Sequence, residues 1–265
     1  TVAILAQGMN KIMISILVIL GVSRSANVLC PFSKGSQEYG YIQVSKENKY
    51  FFAAVEAEED PKTAPTFLLL QGGLGGSSVG LAMAEGPCFL SPVTGKPELS
   101  PYSWTQKANS IWVDAPGPSG FSEGPVEPDL NTVVNYMEKF VSQFFKDHPN
   151  FNTKVYIVGL SAAGSIAAML GSAIVRHKLR IDFKGVMLSS PIIGPGAIAR
   201  GCVTMAKSLL PPGKVAEITK DLGECEHWIS ECNVGYAPQD LMCKKAVEYC
   251  EKALLKPVIE SGKSV

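Results

Sequence analysis

Ser161 has the clearest chemical potential in this sequence, because it stands where a β-rich run meets a run of small residues. Residues 155–158 are apolar and rich in β-branched side chains, Gly159 and Leu160 follow, and alanines and a glycine come directly after Ser161. A strand that turns sharply into a helix through one serine holds the hydroxyl exposed above a sheet, as a nucleophile elbow requires. The pattern therefore predicts Ser161 as a nucleophile.

A glycine-rich segment supplies candidate donors for the oxyanion that such a nucleophile creates. Gln71, Gly72 and Gly73 follow the apolar run at 66–70 directly, and glycines let a backbone turn its N–H groups toward a ligand. The N–H after the nucleophile, on Ala162, is the second donor that an elbow provides. A phosphate cradle is the alternative for this loop, but the loop lacks the lysine of a P-loop and the spacing of a dinucleotide fingerprint.

A serine hydroxyl needs a base to remove its proton, and none of the three histidines is placed to do so. His177 comes about 16 residues after Ser161 on the predicted helix, which is roughly 24 Å at 1.5 Å per residue. His148 precedes the elbow strand and is expected at the opposite end of the sheet, about 20 Å away. His227 lies between two cysteines and is expected at the surface. We therefore expect that the 265 residues contain no histidine that activates Ser161.

The elements that must position Ser161 follow from the hydrophobic pattern. Residues 37–57 predict a β-hairpin, and the apolar runs at 66–70, 110–115 and 183–188 predict buried strands. Asp129 is expected to cap a helix whose apolar positions recur every three or four residues; these are Val133, Val134, Met137, Phe140, Val141, Phe144 and Phe145. Strands alternating with helices predict an α/β fold with a mostly parallel sheet and helices on both faces.

The bulk composition limits the partners and the compartment. The 265 residues carry 24 basic and 24 acidic side chains, with no basic run, which argues against nucleic acid as a partner. Residues 9–22 hold one lysine before an apolar run of about ten residues, which is typical of a signal peptide and too short for a stable membrane anchor. A buried hydrophobic helix is the alternative. Residues 1–8 look like sequence upstream of an initiator Met9.

Seven cysteines fit an oxidising compartment such as the secretory pathway. Four cysteines have spacings of 7, 11 and 7, and they are Cys225, Cys232, Cys243 and Cys250. Seven residues are two helical turns, so the first two cysteines lie on one face of a helix and the last two on one face of the next helix. Two antiparallel helices would then pair 225 with 250 and 232 with 243. A zinc site is the alternative, although its cysteines usually lie closer together. The other three, Cys30, Cys88 and Cys202, are an odd number, so at least one is free or pairs outside the chain.

Four sequence blocks together resemble the serine carboxypeptidase family, of the carboxypeptidase Y type, within the α/β-hydrolases. YGYIQVSKENKYFFAAVEAEED looks like the opening hairpin of the family, and LLLQGGLGGSS corresponds to its WLNGGPGCSS loop. SPYSWTQKANSIWVDAPGPSGFSEG is similar to its NPYSW block, and GLSAAG stands where the family has GESYAG. The segment with four cysteines resembles the disulfide-linked helical insertion of the family, with bridges nested as the spacing suggests. The likeness covers roughly residues 37–262.

The resemblance assigns a role to each matched position. It implies that Ser161 forms an acyl-enzyme, that Gly73 and Ala162 donate to the oxyanion, and that Gln71 and Gly72 bind the terminal carboxylate of a peptide. The implied substrates are the C-termini of peptides or proteins, with no cofactor and no metal. The oligomeric state is not implied.

Several positions depart from the family pattern; four of them belong to the groups that hold the substrate carboxylate, and the fifth, at Gly76, removes a cysteine and with it a disulfide of the family. The family residues asparagine, glutamate, tyrosine, glutamate and cysteine are replaced here by Gln71, Leu160, Ala162, Ala84 and Gly76. Glu85 stands next to the position of the second glutamate. These departures put C-terminal exopeptidase specificity in doubt.

The family's catalytic aspartate and histidine follow the helical insertion, and this sequence contains no counterpart of either. We expect residues 1–26 to be upstream sequence and signal peptide, 27–196 a partial α/β-hydrolase core without its last strands, and 197–265 the helical insertion. The favoured hypothesis is a serine carboxypeptidase in the secretory pathway, secreted or in a vacuole-like compartment. The alternatives are a non-catalytic binding protein on the same scaffold and a related esterase or acyltransferase.

Overall fold

The computed structural model describes residues 29–234 and 239–262. Residues 1–26, which are predicted to be upstream sequence and signal peptide, lie outside the described residues. None of the described helices combines the length and apolar character that crossing a membrane requires.

A six-stranded sheet forms the centre of the molecule, with the strand order β1-β2-β6-β3-β7-β8. The strands are β1 (Gln37–Gln43), β2 (Lys49–Val55), β3 (Thr66–Leu70), β6 (Asn109–Val113), β7 (Val155–Leu160) and β8 (Phe183–Ser189). β1 and β2 form the predicted hairpin, and β2 also runs antiparallel to β6. The four strands β6, β3, β7 and β8 are parallel. The mostly parallel α/β sheet is therefore confirmed. A separate two-stranded ladder joins β4 (Cys88–Leu90) to β5 (Pro97–Leu99).

Seven α-helices follow or separate these strands in the described residues. They are α1 (Ser78–Glu85), α2 (Leu130–Asp147), α3 (Ala163–Arg176), α4 (Pro195–Leu209), α5 (Pro212–Val234), α6 (Gln239–Cys250) and α7 (Lys256–Glu260). Asp129 caps α2 as predicted, because its side chain accepts a hydrogen bond from the Thr132 N–H. All seven apolar positions predicted for this helix are buried.

Both faces of the sheet are covered, since neighbouring residues of a strand point in opposite directions. Leu68 and Leu70 of β3 face a large core with α2 and α3, while Leu69 faces a smaller one with α1. The β3 strand is thus apolar at nearly every position because it is buried on both sides. The carboxyl ends of the parallel strands meet at one edge of this layer, and Ser161 follows β7 there.

The helices after β8 have a hydrophobic core of their own, formed mainly by α4, α5 and the residues from 249 to 258. Disulfides join Cys225 to Cys250 and Cys232 to Cys243, the pairs that the spacing predicts. A third disulfide joins Cys30 to Cys88 and fixes the first described residues to β4. The odd cysteine is Cys202, which is buried as a free thiol.

Strand β8 forms one edge of the sheet and leaves apolar side chains in solvent. Within the described residues it pairs only with β7, and Val186, Met187 and Leu188 are 39–46% exposed. Such an edge can pair with another chain, which makes it an aggregation risk.

Candidate active site

The backbone at Ser161 has the strained geometry of an elbow. Strand β7 ends at Leu160 and α3 begins at Ala163, and Ser161 between them has a φ of +50°, in the left-handed region that L-residues seldom adopt. Gly159 allows this close turn, because a Cβ there would lie 2.6 Å from the Ala163 carbonyl oxygen. The strain is a feature of the strand–serine–helix turn that exposes a nucleophile.

Hydrogen bonds fix the Ser161 backbone and leave its side chain exposed. The N–H donates to the Ser189 carbonyl oxygen at 2.9 Å, and the carbonyl oxygen accepts from the N–H groups of Gly164 and Ile192, both at 3.0 Å. The hydroxyl itself has no hydrogen-bond partner in the described part of the chain and lies at an exposed position. The serine is held in place while its oxygen can reach a substrate.

The glycine loop after β3 touches the elbow directly. A Cβ at Gly72 would lie 2.7 Å from Ser161 Cβ, which is closer than real side chains pack, and 3.2 Å from the Ala162 nitrogen. Only glycine lets the loop approach this far. Gly73 follows with a φ of +122°, which favours glycine. Within the described residues, the N–H groups of Gly73 and Ala162 donate to no protein acceptor. These two groups can therefore donate to an oxyanion.

Asp114 anchors this loop, and sequence reasoning missed it. The side chain is fully buried at the end of β6, and it accepts hydrogen bonds from Ser77 Oγ at 2.8 Å, the Val79 N–H at 3.1 Å and the Phe121 N–H at 2.9 Å. A Cβ at Gly120 would lie 2.0 Å from the second carboxylate oxygen. One carboxylate thus joins the start of α1 to the loop after β6. An acidic residue directly after an apolar strand was the available signal.

The histidines are engaged away from Ser161. His177 lies just after the end of α3, whose 14 residues put it about 21 Å from the elbow end, and its Nδ1 is 2.6 Å from Glu138 Oε2. His148 stacks on a phenylalanine at the end of α2, and His227 is exposed. None of them contacts Ser161 in the described structure. Among the described residues, no cluster of histidine, cysteine and acidic side chains could hold a metal ion.

Comparison with known proteins decides the family. The family model described as serine carboxypeptidase matches residues 30–256. The chain belongs to the serine carboxypeptidase family.

Relatives of this chain include two fungal carboxypeptidases Y. Carboxypeptidase Y of Saccharomyces cerevisiae is 32% identical over 246 residues, which cover 87% of this chain and 45% of that protein. Carboxypeptidase Y of Komagataella phaffii is 30% identical over 86% of this chain and 45% of its own length. The solved structure of Kex1, a prohormone-processing carboxypeptidase from Saccharomyces cerevisiae, shares the fold with a TM-score of 0.67 at 22% identity, over 84% of this chain and 55% of that one. The chain therefore spans about half the length of these serine carboxypeptidases.

Gln71, at the family's asparagine position, turns back into its own loop. Its Oε1 accepts a hydrogen bond from the Gly72 N–H at 3.0 Å, and its own N–H donates to Ser78 Oγ at 3.0 Å. A Cβ at Gly76 would lie 2.7 Å from Gln71 Cγ, so the glycine that replaces the family cysteine makes room for the longer side chain. The Gly72 N–H is consequently occupied by this side chain.

The acidic side chain next to the lost family glutamate is partly buried. Ala84 is exposed, whereas Glu85 at the end of α1 has one carboxylate oxygen that is buried without a partner in the described structure. Burial raises the pKa of the Glu85 carboxyl above its ordinary value. A carboxyl with a raised pKa can share a proton with another carboxylate in acid, as the family glutamate does. Glu85, however, stands one position after the one that matches this glutamate, Ala84.

The raised pKa of Glu85 predicts a pH-dependent stability. The folded protein holds the proton more tightly than the unfolded chain, so its stability falls as the pH rises through the raised pKa. Replacing Glu85 with glutamine should raise the melting temperature at pH 7, and the gain should vanish below about pH 4, the ordinary range of a glutamate. Thermal unfolding of both proteins across this range measures the effect. Glu98→Gln, at an exposed position of β5, is the control and should show no such trend. A gain that grows toward acid would contradict the assignment.

Proposed function

We propose that Ser161 is the acyl-forming nucleophile of a serine-type carboxypeptidase that releases C-terminal residues from peptides. The observation that carries this proposal is the contact between two backbones: Gly72 lies against the strained Ser161, with the open N–H groups of Gly73 and Ala162 beside it. An acyl transfer needs this combination of an exposed nucleophile and fixed donors.

The reaction proceeds in two steps on Ser161. Its Oγ attacks the scissile carbonyl carbon while a base takes the hydroxyl proton, and the oxyanion accepts hydrogen bonds from Gly73 and Ala162. The C–N bond breaks as the proton passes to the leaving amine, and water then hydrolyses the acyl-enzyme. We assign the role of base to none of the three histidines in this sequence, and we propose that the whole enzyme supplies it.

The substrate carboxylate would bind at Gln71 and Gly72. The Gln71 side chain must first release the Gly72 N–H, and its amide can then donate one hydrogen bond while the freed N–H donates another. The hydrogen bond from the Gly72 N–H to Gln71 Oε1 favours two alternatives, as does the presence of Leu160, Ala162 and Ala84 in place of the family residues. One alternative is a hydrolase or transferase that acts on esters without a terminal carboxylate. The other is a binding protein without turnover.

The compartment is proposed from the disulfides. Three bridges in the described residues fit folding in the secretory pathway, with secretion or a vacuole-like compartment as the destination. The substrates would be the C-termini of peptides that share this compartment. We propose neither a metal nor a cofactor for the reaction.

A comparison of three substrates tests the proposed function. The protein purified from cells that express its gene is offered a blocked dipeptide with a free carboxylate, its C-terminal amide and its ethyl ester. We expect release of the C-terminal residue from the free acid, and a loss of about a thousandfold or more in Ser161→Ala. Cleavage of the ester alone would favour the esterase. Binding of the free acid without cleavage of any substrate would favour the non-catalytic protein.

A further inference from the structure

The loop that follows β8 lies against the elbow. This loop, residues 190–194, is here called the β8 loop, and it is exposed except at Pro191, which is half-buried. Ser190 has a φ of +44°, so the chain leaves the strand through a left-handed residue. Pro191 packs on the first turn of α3, because a Cβ at Gly164 would lie only 2.6 Å from Pro191 Cβ. An exposed loop has few buried contacts, so the contacts with the elbow largely determine its position.

Ile192 of the β8 loop is hydrogen-bonded to the elbow through both of its backbone polar groups. Its N–H donates to the Ser161 carbonyl oxygen at 3.0 Å, and its carbonyl oxygen accepts from Ser165 Oγ at 2.6 Å. Within the described residues, the Ile192 carbonyl oxygen accepts no other hydrogen bond. The Ser165 hydroxyl is therefore the group that holds this end of Ile192 in place.

The carbonyl of Ser161 matters because it shares one peptide group with the N–H of Ala162. This peptide bond is trans, so the group is planar and its C=O and N–H point in opposite directions. Whatever holds the carbonyl therefore also fixes the direction of the N–H. The carbonyl oxygen accepts from the N–H groups of Gly164 and Ile192. The first of these donors belongs to the elbow itself, whereas the second depends on the β8 loop.

The hydrogen bond from Ile192 has two consequences for the Ala162 N–H. A peptide group whose C=O accepts a hydrogen bond is polarised, which makes its N–H a stronger donor. The bond also helps to hold Ser161 at its positive φ, since a strained residue keeps its conformation only where its surroundings over-determine it. Ile192 thus affects both the direction and the strength of a donor that points to no protein acceptor in the described part of the chain.

We propose that Ser165 is a positioning residue for the oxyanion donor at Ala162. This inference rests on the function proposed above, in which the Ala162 N–H donates to the oxyanion. The Ser165 hydroxyl holds the Ile192 carbonyl, the Ile192 N–H consequently stays on the Ser161 carbonyl, and the Ala162 N–H keeps its direction. Ser165 acts through two hydrogen bonds, and its own hydroxyl takes no part in the reaction.

A matched set of variants isolates the Ser165 hydroxyl. Ser165→Thr keeps the hydroxyl, Ser165→Val replaces it with a methyl group of similar size, and Ser165→Ala removes it. Ser172→Ala is the control for a serine-to-alanine change in the same helix, because Ser172 is an exposed residue of α3. All four proteins should fold, since Ser165 is only half-buried. If Ser165→Ala does not fold, the threonine and valine variants supply the comparison.

Hydrogen exchange of the Ile192 amide tests the positioning without any reaction. It is measured by NMR on the 265-residue chain and on each variant. We expect exchange about fivefold or more faster in Ser165→Ala and Ser165→Val, because the loss of one hydrogen bond loosens the other. Ser165→Thr and Ser172→Ala should stay within about twofold of the unchanged protein. Equal exchange of the Ile192 amide in all of these proteins would overturn the proposal.

Labelling of Ser161 by a fluorophosphonate at a fixed imidazole concentration measures the consequence for the reaction. In Ser165→Ala and Ser165→Val, we expect the rate constant at saturating probe to fall about fivefold or more, with half-saturation at the same probe concentration within about twofold. Ser165→Thr should restore the rate. Equal rates for the threonine and valine variants would overturn the proposal. No labelling of Ser161 in the unchanged protein would count against the proposed function, whereas hydrogen exchange decides the positioning by Ser165 in either case.

Discussion

Replacing Gly72 with alanine is expected to remove the reactivity of Ser161 and to destabilise the fold. The new Cβ would lie 2.7 Å from Ser161 Cβ and 2.8 Å from the Leu160 carbonyl oxygen, so the loop or the elbow must move. The atoms in the way belong to the elbow and its backbone, and relief by a change of side-chain rotamer is not available. Overpacking of this kind costs about 2–3 kcal/mol. A displacement of the loop would also misalign the Gly73 N–H, the donor that we propose for the oxyanion, which is worth a further factor of about 100 in acylation rate.

The Gly72→Ala experiment has a matched control in the next helix. Gly80 lies within α1, and a Cβ there would meet only Ser77 Cβ at an ordinary 3.9 Å. Gly80→Ala should therefore stabilise the protein by up to about 1 kcal/mol, because alanine is a better helix former. Denaturant unfolding and labelling of Ser161 by a fluorophosphonate measure the two variants side by side. Equal stability of Gly72→Ala and the unchanged protein would show that the loop does not contact the elbow as described.

Replacing Asp114 with alanine should have an effect of similar size through a different mechanism. The substitution leaves the N–H groups of Val79 and Phe121 without their acceptor and frees Ser77 Oγ. All three donors are partly buried, and each costs about 1 kcal/mol when it is left unsatisfied, so we expect a loss of about 3 kcal/mol in the free energy of unfolding. Because Ser77 caps α1 directly after the oxyanion loop, acylation of Ser161 should fall as well.

The conservative variant separates the two consequences for Asp114. Asp114→Asn retains one acceptor oxygen and should recover part of the stability, whereas Asp147→Ala, at an exposed position, should change it by less than about 0.5 kcal/mol. Urea unfolding gives the free energies, and the rate of fluorophosphonate labelling reports the loop. An Asp114→Ala protein as stable as Asp147→Ala would refute the anchoring role.

Local patterns were sufficient to predict the parts of the fold that local physics determines. The apolar period of α2, with Asp129 as its cap, depends on residues three or four apart. The pairing of Cys225 with Cys250 follows from the spacing of two helical turns between the cysteines within each helix, which puts both cysteines of a helix on one face. The elbow at Ser161 needs only a strand, small residues and a helix in that order. In each case the information lies within one short stretch of sequence.

Contacts between distant segments were not predictable in the same way. Asp114 receives donors from residues 7 to 37 positions away, and Glu127 shares its carboxylate with Tyr50 across 77 positions. The pairing of Cys30 with Cys88 depends on where the chain crosses the sheet, and spacing alone left it open. The turned-back side chain of Gln71 depends on the absence of a side chain at Gly76. These features require the three-dimensional arrangement first.

The most direct test of the central claim is the labelling of Ser161 in the 265-residue chain with and without an added base. A fluorophosphonate is offered with increasing imidazole, and the adduct is located by mass spectrometry, with Ser161→Ala as the control. We expect slow labelling without imidazole, because no histidine of the chain reaches Ser161, and labelling about tenfold or more faster when imidazole can reach the exposed hydroxyl. The Ser161→Ala protein should remain unlabelled. Rapid labelling of Ser161 that is independent of imidazole would contradict the account, as would an equal adduct on the alanine variant.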